Sequence, residues 1–227
     1  MEHTILIIGH RTGIGRALTE MLLNKGNKVL GISREPVDYD HANLESISME
    51  IENMETINLP EHLSGLVYCP GTINLKPFKS LKTDDFINDF TINALGAAKI
   101  LQKAEKSLIS AKGSVVLFST VAVAQGMPFH ASVAMAKAAV EGLSRSLAAE
   151  WAPNVSVNTI APSLTDTPMA TKLLGNENRR AASEQRHPLK AVGTPEEIAK
   201  MAQLLLESKW ISGEVFGVNG GMGRIRN

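Results

Sequence analysis

The sequence holds a single cysteine, Cys69, so no disulfide can close within the chain, and a reducing, cytoplasmic setting is expected. It has no excess of charge of either sign, because Lys+Arg and Asp+Glu both number 23. Nucleic-acid binding ordinarily needs a basic face, so no nucleic-acid partner is expected. No run approaches the roughly 20 apolar residues that span a membrane, which removes membrane insertion from the expected roles. The opening MEHTILIIGH has too short an apolar run for a signal peptide and lacks a cleavage site. Internal repeats and low-complexity stretches are missing. Tyrosine is scarce too, with only Tyr39 and Tyr68.

What is there fits one large α/β domain over residues 1–227. Apolar residues make up 44% and charged residues 20%, close to the globular average, so a core can form without staples. A chain of this length buries roughly 70–75% of its unfolded surface.

Short β-branched runs alternate with longer helical patterns. Thr4–Ile8, Lys28–Ser33, Gly65–Cys69, Ser114–Ser119, Val155–Ile160 and Glu214–Val218 read as strands. Arg16–Lys25 reads as a helix stopped by Gly26. Thr83 can cap a helix whose first turn holds Asp84 and Asp85, running to about Ser107. A second long helix is expected over Ala131–Glu150, and a late one opens at Thr194-Pro195-Glu196-Glu197, a capping box with proline at the first helical position. Between Ser33 and Gly65 only a weak strand, Ile47–Ile51, can be read, so surface elements there are expected to be shortened. The alternation implies a doubly wound Rossmann-type three-layer sandwich with a parallel sheet of about seven strands.

The first strand runs directly into Gly9-His10-Arg11-Thr12-Gly13-Ile14-Gly15 and then a helix. Glycines allow a tight turn and the close approach of a pyrophosphate, and free N–H groups at a helix start bind the anion. The alternative is a glycine-rich turn that serves packing alone.

The motif GHRTGIG resembles the GxxxGxG signature of the short-chain dehydrogenase/reductase family, and the resemblance continues along essentially the whole chain. Tyr68-Cys69-Pro70-Gly71 stands where the family has Asn-Asn-Ala-Gly, with only Gly71 kept. Asn93 matches the helix-four asparagine, and Ser119–Ala148 the active-site strand, loop and helix. The run Ile160–Thr167 resembles the family's Pro-Gly loop with Ser163 in place of glycine, and Gly217–Gly221 its terminal strand.

The resemblance implies a nicotinamide dinucleotide held by Gly9, Arg11, Thr12, Gly13, Ile14, Gly15, Gly71, Pro162, Thr165 and Thr167. Members that prefer NAD(H) carry an acid at the end of the second strand, whereas this chain reads Ser33-Arg34 there. A hydroxyl followed by a guanidinium suits a 2′-phosphate, so NADP(H) is expected rather than NAD(H), with Arg11 as a second charge. Glu50-Ile51 resembles the pair that contacts the adenine.

The family's chemistry uses a tyrosine as general acid/base, a lysine four residues later, a serine thirteen residues earlier, and the asparagine. Here Lys137 is the lysine, Thr120 stands for the serine, and Asn93 is present, but Val133 occupies the tyrosine position. Lys137 is expected to keep its second role, holding the nicotinamide ribose. His130 is a candidate substitute acid, and Ser132 a weaker one. Alternatively no donor is needed, as when a conjugated C=C or quinone-like acceptor takes its proton from water. The segment Met169–Arg186 resembles the family's substrate lid, ended by His187-Pro188-Leu189. The expectation is an oxidoreductase acting on a small-molecule substrate, with a cofactor-binding sensor or assembly subunit without turnover as the alternative. A homotetramer, or else a homodimer, and no metal site are expected.

Overall fold

The computed structural model describes residues 4–225. The strands are β1 (Thr4–Ile8), β2 (Lys28–Ser33), β3 (Leu44–Ser48), β4 (Gly65–Tyr68), β5 (Ser114–Phe118), β6 (Ser156–Pro162) and β7 (Val215–Val218). They form one parallel sheet in the order β3-β2-β1-β4-β5-β6-β7. Between them lie α1 (Gly13–Asn24), α2 (Thr83–Phe90), α3 (Gly96–Ala111), α4 (Val121–Gln125), α5 (Ala131–Trp151), α6 (Thr171–Leu174), α7 (Glu177–Arg186) and α8 (Pro195–Glu207).

Successive residues of a strand point to opposite faces, and the central strands are buried on both. Ile5 and Ile7 of β1 join Leu18 and Leu22 of α1 and Ile198, Ala202 and Leu205 of α8 on one face. Leu6 and Ile8 join Ile100, Leu101 and Leu108 of α3 and Val140 and Trp151 of α5 on the other. The result is a helix–sheet–helix sandwich of the Rossmann type. Among the described residues no helix is long and apolar enough to cross a membrane.

Several boundaries differ from the sequence reading. The weak strand lies at Leu44–Ser48, three residues earlier than expected, and Ile51–Thr56 winds into a 3₁₀ turn instead. The N-cap of α2 is Lys82, not Thr83, and the Asp85 carboxylate accepts from the Lys82 backbone N–H at 2.9 Å. The long helix expected from Thr83 reaches Ala111 and is interrupted by a π turn at Thr91–Leu95. The capping box at Thr194 is present: its hydroxyl accepts from the Glu197 N–H at 3.3 Å, and Glu197 accepts from the Thr194 N–H at 3.1 Å.

Only residues 34–43 join β2 to β3, with no helix. A side-chain stack covers that corner. The His10 ring is fully buried against Gly31 of β2, where a Cβ would lie 2.4 Å from ring atom Cδ2. Its Nε2 is 3.0 Å from Ser46 Oγ on β3. The Tyr39 hydroxyl donates to the His10 carbonyl at 3.0 Å, and the Arg16 guanidinium lies 4.8 Å over the Tyr39 ring. Arg16 also pairs with Asp38 of the loop at 3.0 Å.

This packing predicts the effect of Gly31→Ala. The methyl group meets the His10 ring in a closed space, an overpacking that costs about 1–3 kcal/mol. At roughly 2–4 °C per kcal/mol for a chain of this size, the melting temperature should fall by several degrees in thermal unfolding. An unchanged melting temperature would show that the stack does not hold this corner.

Candidate active site

A cleft of about 670 Å³ opens at the carboxyl ends of the strands. Open parallel sheets carry such a crevice where neighbouring strands send their connections to opposite faces. Here that is between β1, which leads to α1, and β4, which leads to α2 and α3.

One wall is the turn from β1 to α1. Gly9 has φ +82° and Gly13 +56°, both in the left-handed region that favours glycine. A Cβ on Gly15 would lie 2.2 Å from the Gly9 carbonyl oxygen, so any side chain there would push α1 off the loop. Thr12 is the N-cap of α1 and makes no side-chain capping bond, which leaves the first N–H groups free for an anion. Gly9, Arg11, Thr12, Gly13, Ile14 and Gly15 all line the cleft.

Ser33, Arg34 and Glu50 line the neighbouring stretch. The Ser33 hydroxyl donates to the Glu35 carbonyl at 2.8 Å. Arg11 is tied down by an ion pair with Glu35 at 2.9 Å and a bond to the Pro36 carbonyl at 3.0 Å. Arg34 is exposed and makes no ion pair or side-chain hydrogen bond among the described residues. Of the two arginines, Arg34 is therefore the one with its fork unoccupied.

Gly71, Thr120, Lys137, Pro162, Thr165 and Thr167 line the opposite part of the cleft. Lys137 is buried, and its Nζ donates to the Phe118 carbonyl at 2.8 Å. Burial pulls its pKa from the ordinary 10.5 down to about 8. Val133 is buried one turn earlier on α5 and lines the same space. Thr120 is the N-cap of α4, its Oγ1 accepting from the Ala122 N–H at 3.3 Å. The adjacent Ser119 also lines the cleft, and its hydroxyl donates to Glu141 at 2.7 Å. His130 lines the cleft with Nδ1 2.7 Å from the Pro128 carbonyl, whereas Ser132 is buried outside the lining.

Asn93, like Ser132, does not line the cleft. It stands behind Gly71, within the π turn. Its Nδ2 donates to the Asp89 carbonyl at 2.7 Å and to Thr72 Oγ1 at 2.9 Å. The Tyr68 hydroxyl donates to the Ile92 carbonyl at 2.6 Å. Gly96 makes room for it, since a Cβ there would lie 2.2 Å from that oxygen. Side chains thus take carbonyls of the helix ladder, a recognised cause of a π turn. Asn93 Oδ1 is buried and unpartnered, and a Cβ on Gly71 would lie 3.2 Å from it and 3.3 Å from Lys137 Nζ. Both tyrosines are accounted for: Tyr39 covers the corner near His10, and Tyr68 holds the π turn, its hydroxyl kept protonated by burial.

The lid segment folds into α6 and α7, with Asp166 on the loop after β6 paired to Arg180. At its end His187 is almost fully buried and faces the cleft beside Ser163 and Met222. The sequence reading placed Ser163 only as a glycine replacement and His187 only as the end of the lid. Thr72 and Met222 are further lining residues that it did not single out.

The family model described as Enoyl-(Acyl carrier protein) reductase matches residues 34–223. A 3-oxoacyl-(acyl-carrier-protein) reductase of Aquifex aeolicus is 31% identical over 241 residues, covering 96% of each chain. The 3-oxoacyl-(acyl-carrier-protein) reductase MabA of Mycobacterium tuberculosis is 30% identical over 236 residues, covering 98% of this chain and 94% of that one. Among solved structures, the aldohexose dehydrogenase of Thermoplasma acidophilum superposes with a TM-score of 0.89 at 22% identity, covering 100% of this chain and 97% of that one. ElxO, solved with NADP bound, superposes with a TM-score of 0.89 at 23% identity, covering 98% and 99%.

The depressed Lys137 ammonium generates a stability prediction. Between about pH 8 and 10.5 the unfolded chain keeps a proton that the folded chain has released, so stability gains with rising pH across that window. Below it, the buried charge costs stability. Lys137→Met should therefore be more stable than wild type at pH 7, by roughly 2 kcal/mol once the lost bond to Phe118 is set against the relieved desolvation. The two proteins should converge between about pH 8 and 10.5 in urea unfolding. A gap that does not change with pH would show that this lysine is not held below its ordinary range.

Proposed function

The chain belongs to the short-chain dehydrogenase/reductase family, and from that premise we propose that it is an NADP(H)-dependent oxidoreductase whose proton delivery does not use a tyrosine. Its whole length, residues 1–227, works as one dinucleotide-binding domain. The observation that carries the reading is the convergence of the glycine turn, Arg34, Gly71, Lys137 and the Pro162–Thr167 loop on one cleft. The cleft fits a dinucleotide on its own terms. Its glycine cradle has no room for a Cβ at Gly15, the start of α1 has no side-chain cap, and Arg34 makes no ion pair or side-chain hydrogen bond among the described residues.

When bound, the nicotinamide supplies or accepts hydride. Gly13, Ile14 and Gly15 would hold the pyrophosphate on free N–H groups. Arg34, with Ser33, would hold the 2′-phosphate, while Arg11 stays with Glu35. Lys137 would trade one of its N–H donors to the nicotinamide ribose. Thr120 would orient the acceptor's oxygen, and Thr165 and Thr167 the carboxamide. Asn93 would act behind Gly71, through its unpartnered Oδ1.

Val133 shapes the substrate class. The Aquifex aeolicus and Mycobacterium tuberculosis relatives are 3-oxoacyl reductases by name, and the family model is described as an enoyl reductase. A conjugated or quinone-like acceptor spreads the charge left by hydride addition, so it tolerates the missing phenol better than an isolated ketone. Val133 also supports a second reading, an NADP(H)-binding sensor or assembly subunit without turnover. NADPH consumption against a panel of carbonyl, enone and quinone compounds separates the two.

Assembly as a homotetramer, or else a homodimer, fits the exposed Ile87 and Phe90 on α2 and Met135 on α5. A reducing, cytoplasmic setting fits the free Cys69.

Two substitutions test the reading. Losing a charge-assisted hydrogen bond costs about 1.5–3 kcal/mol, or on the order of 10- to 100-fold. Arg34→Ala should weaken NADPH binding by that factor and leave NADH binding nearly unchanged in fluorescence titrations. Equal weakening of both would remove Arg34 from the phosphate. Val133→Tyr should place a phenol beside Lys137, and general acid/base catalysis contributes about 10²- to 10⁴-fold. The variant should gain reduction of simple ketones and aldehydes. If it folds, binds NADPH and still reduces none of a broad carbonyl panel, position 133 does not stand in for the tyrosine.

A further inference from the structure

Ser163 is the first residue after β6, and it carries a hydroxyl into the cleft where the family has glycine. Its Oγ lies 2.8 Å from His187 Nε2. The other ring nitrogen, Nδ1, lies 2.8 Å from the Ser183 carbonyl on α7. A carbonyl can only accept, so Nδ1 carries a proton, and Nε2 of the neutral ring accepts from Ser163. Gly220 packs against the same imidazole, its φ of +60° and missing side chain leaving the ring in place. A Cβ on Gly220 would lie 3.2 Å from His187 Cδ2.

Ser163 has a second acceptor, Met222 Sδ at 3.3 Å. The pair is therefore satisfied in both protonation states. With neutral His187, Ser163 donates to Nε2. With the imidazolium, Nε2–H donates to Ser163, whose own proton turns to the thioether. Sulfur is a weak acceptor, so an oxygen entering the cleft displaces it.

The position is right for the reacting end of the cleft. β5 and β6 are paired neighbours, with Phe118 beside Ile160, and the Ser119 N–H donates to the Ile160 carbonyl at 2.7 Å. Thr120 and Ser163 thus leave adjacent strand ends. Val121, after Thr120, reaches to 3.4 Å of where a Cβ on Gly223 would lie, one residue past Met222.

We propose that Ser163, backed by His187, is the proton donor that replaces the family's tyrosine. This rests on the reading of the cleft as a nicotinamide oxidoreductase site. The reduced nicotinamide, held by Lys137 and the Pro162–Thr167 loop, would supply the hydride that reduces the acceptor's C=O or conjugated C=C–C=O and would itself be oxidised. The electron pair released onto the acceptor's oxygen takes the proton of Ser163 Oγ. The Oγ–H bond is re-formed from the Nε2 proton of His187, which ends neutral and is reprotonated from solvent between turnovers. Ser163 is the catalytic residue, and His187 acts through it. The charged groups on surrounding elements are Arg186 and Lys190 beside His187, the Asp166–Arg180 pair, and Arg224 after Met222. None of them hydrogen-bonds the imidazole.

The test begins with NADPH titration of wild type, Ser163→Ala, Ser163→Thr and His187→Gln. Each is then assayed across pH for NADPH consumption with menadione, 2-cyclohexenone and ethyl acetoacetate. Ser163→Gly replaces Ser163→Ala if the latter does not fold. Wild type should turn over at least one probe, along a limb that falls with rising pH. Ser163→Ala should lose about 10²- to 10⁴-fold in kcat with NADPH affinity unchanged, and Ser163→Thr should recover most of it. His187→Gln should lose the pH limb. A Ser163→Ala rate equal to wild type, a limb that survives His187→Gln, or NADPH binding without turnover of any probe would each overturn the relay while the cofactor reading stands. Failure of wild type to bind NADPH would overturn both.

Discussion

The cleft exists because β1 and β4, side by side in the sheet, hand their connections to opposite faces. That divergence leaves a crevice at the strand ends which no helix can fill. The shape of that crevice then hangs on one contact, Gly15 against the Gly9 carbonyl, closer than any side chain allows. With that contact, α1 starts directly over the end of β1 and points its free N–H groups into the crevice. Without it, the helix would stand off and the donors would diverge.

A second constraint comes from the helix that passes behind the cleft. Its π turn is held from both sides: Asn93 takes the Asp89 carbonyl and Tyr68 the Ile92 carbonyl. The bulge brings the Asn93 amide up behind Gly71, facing Lys137. Placing an ammonium in this buried spot is unfavourable, as the fall of its pKa to about 8 shows. A purely structural lysine would gain little there beyond one backbone hydrogen bond.

Polar groups in the cleft come from two sides that differ in origin. Thr120 and Lys137 come from the start of α4 and from α5, where the neighbouring Val133 is apolar. Ser163, His187 and Met222 come from β6, the end of the lid and the turn after β7. The hydrogen-bonded pair Ser163–His187 lies on this second side.

Much of this was legible in the residues. Alternating short apolar runs and helical patterns determined a parallel α/β sheet, because buried strands and amphipathic helices have few ways to cover each other. The glycine spacing after Thr4–Ile8 marked the turn that opens α1, and the Val133–Lys137 spacing put two residues of α5 on the cleft wall. Local signals misplaced the strand at Leu44–Ser48, whose edge position and exposed Glu45 give it no strong alternation. They also gave no sign of the π turn, which depends on Tyr68 meeting Ile92 from another element. Arg11 and Arg34 look alike in sequence, and only the fold pairs Arg11 with Glu35 and leaves Arg34 open. Ser163 and His187, 24 residues apart, are unremarkable along the chain. Periodicity and glycine spacing determined the fold and the place of the cleft because they act through near neighbours. The tertiary structure alone decided which side chains meet, because a hydrogen bond is set by a few ångströms of space and not by distance along the chain.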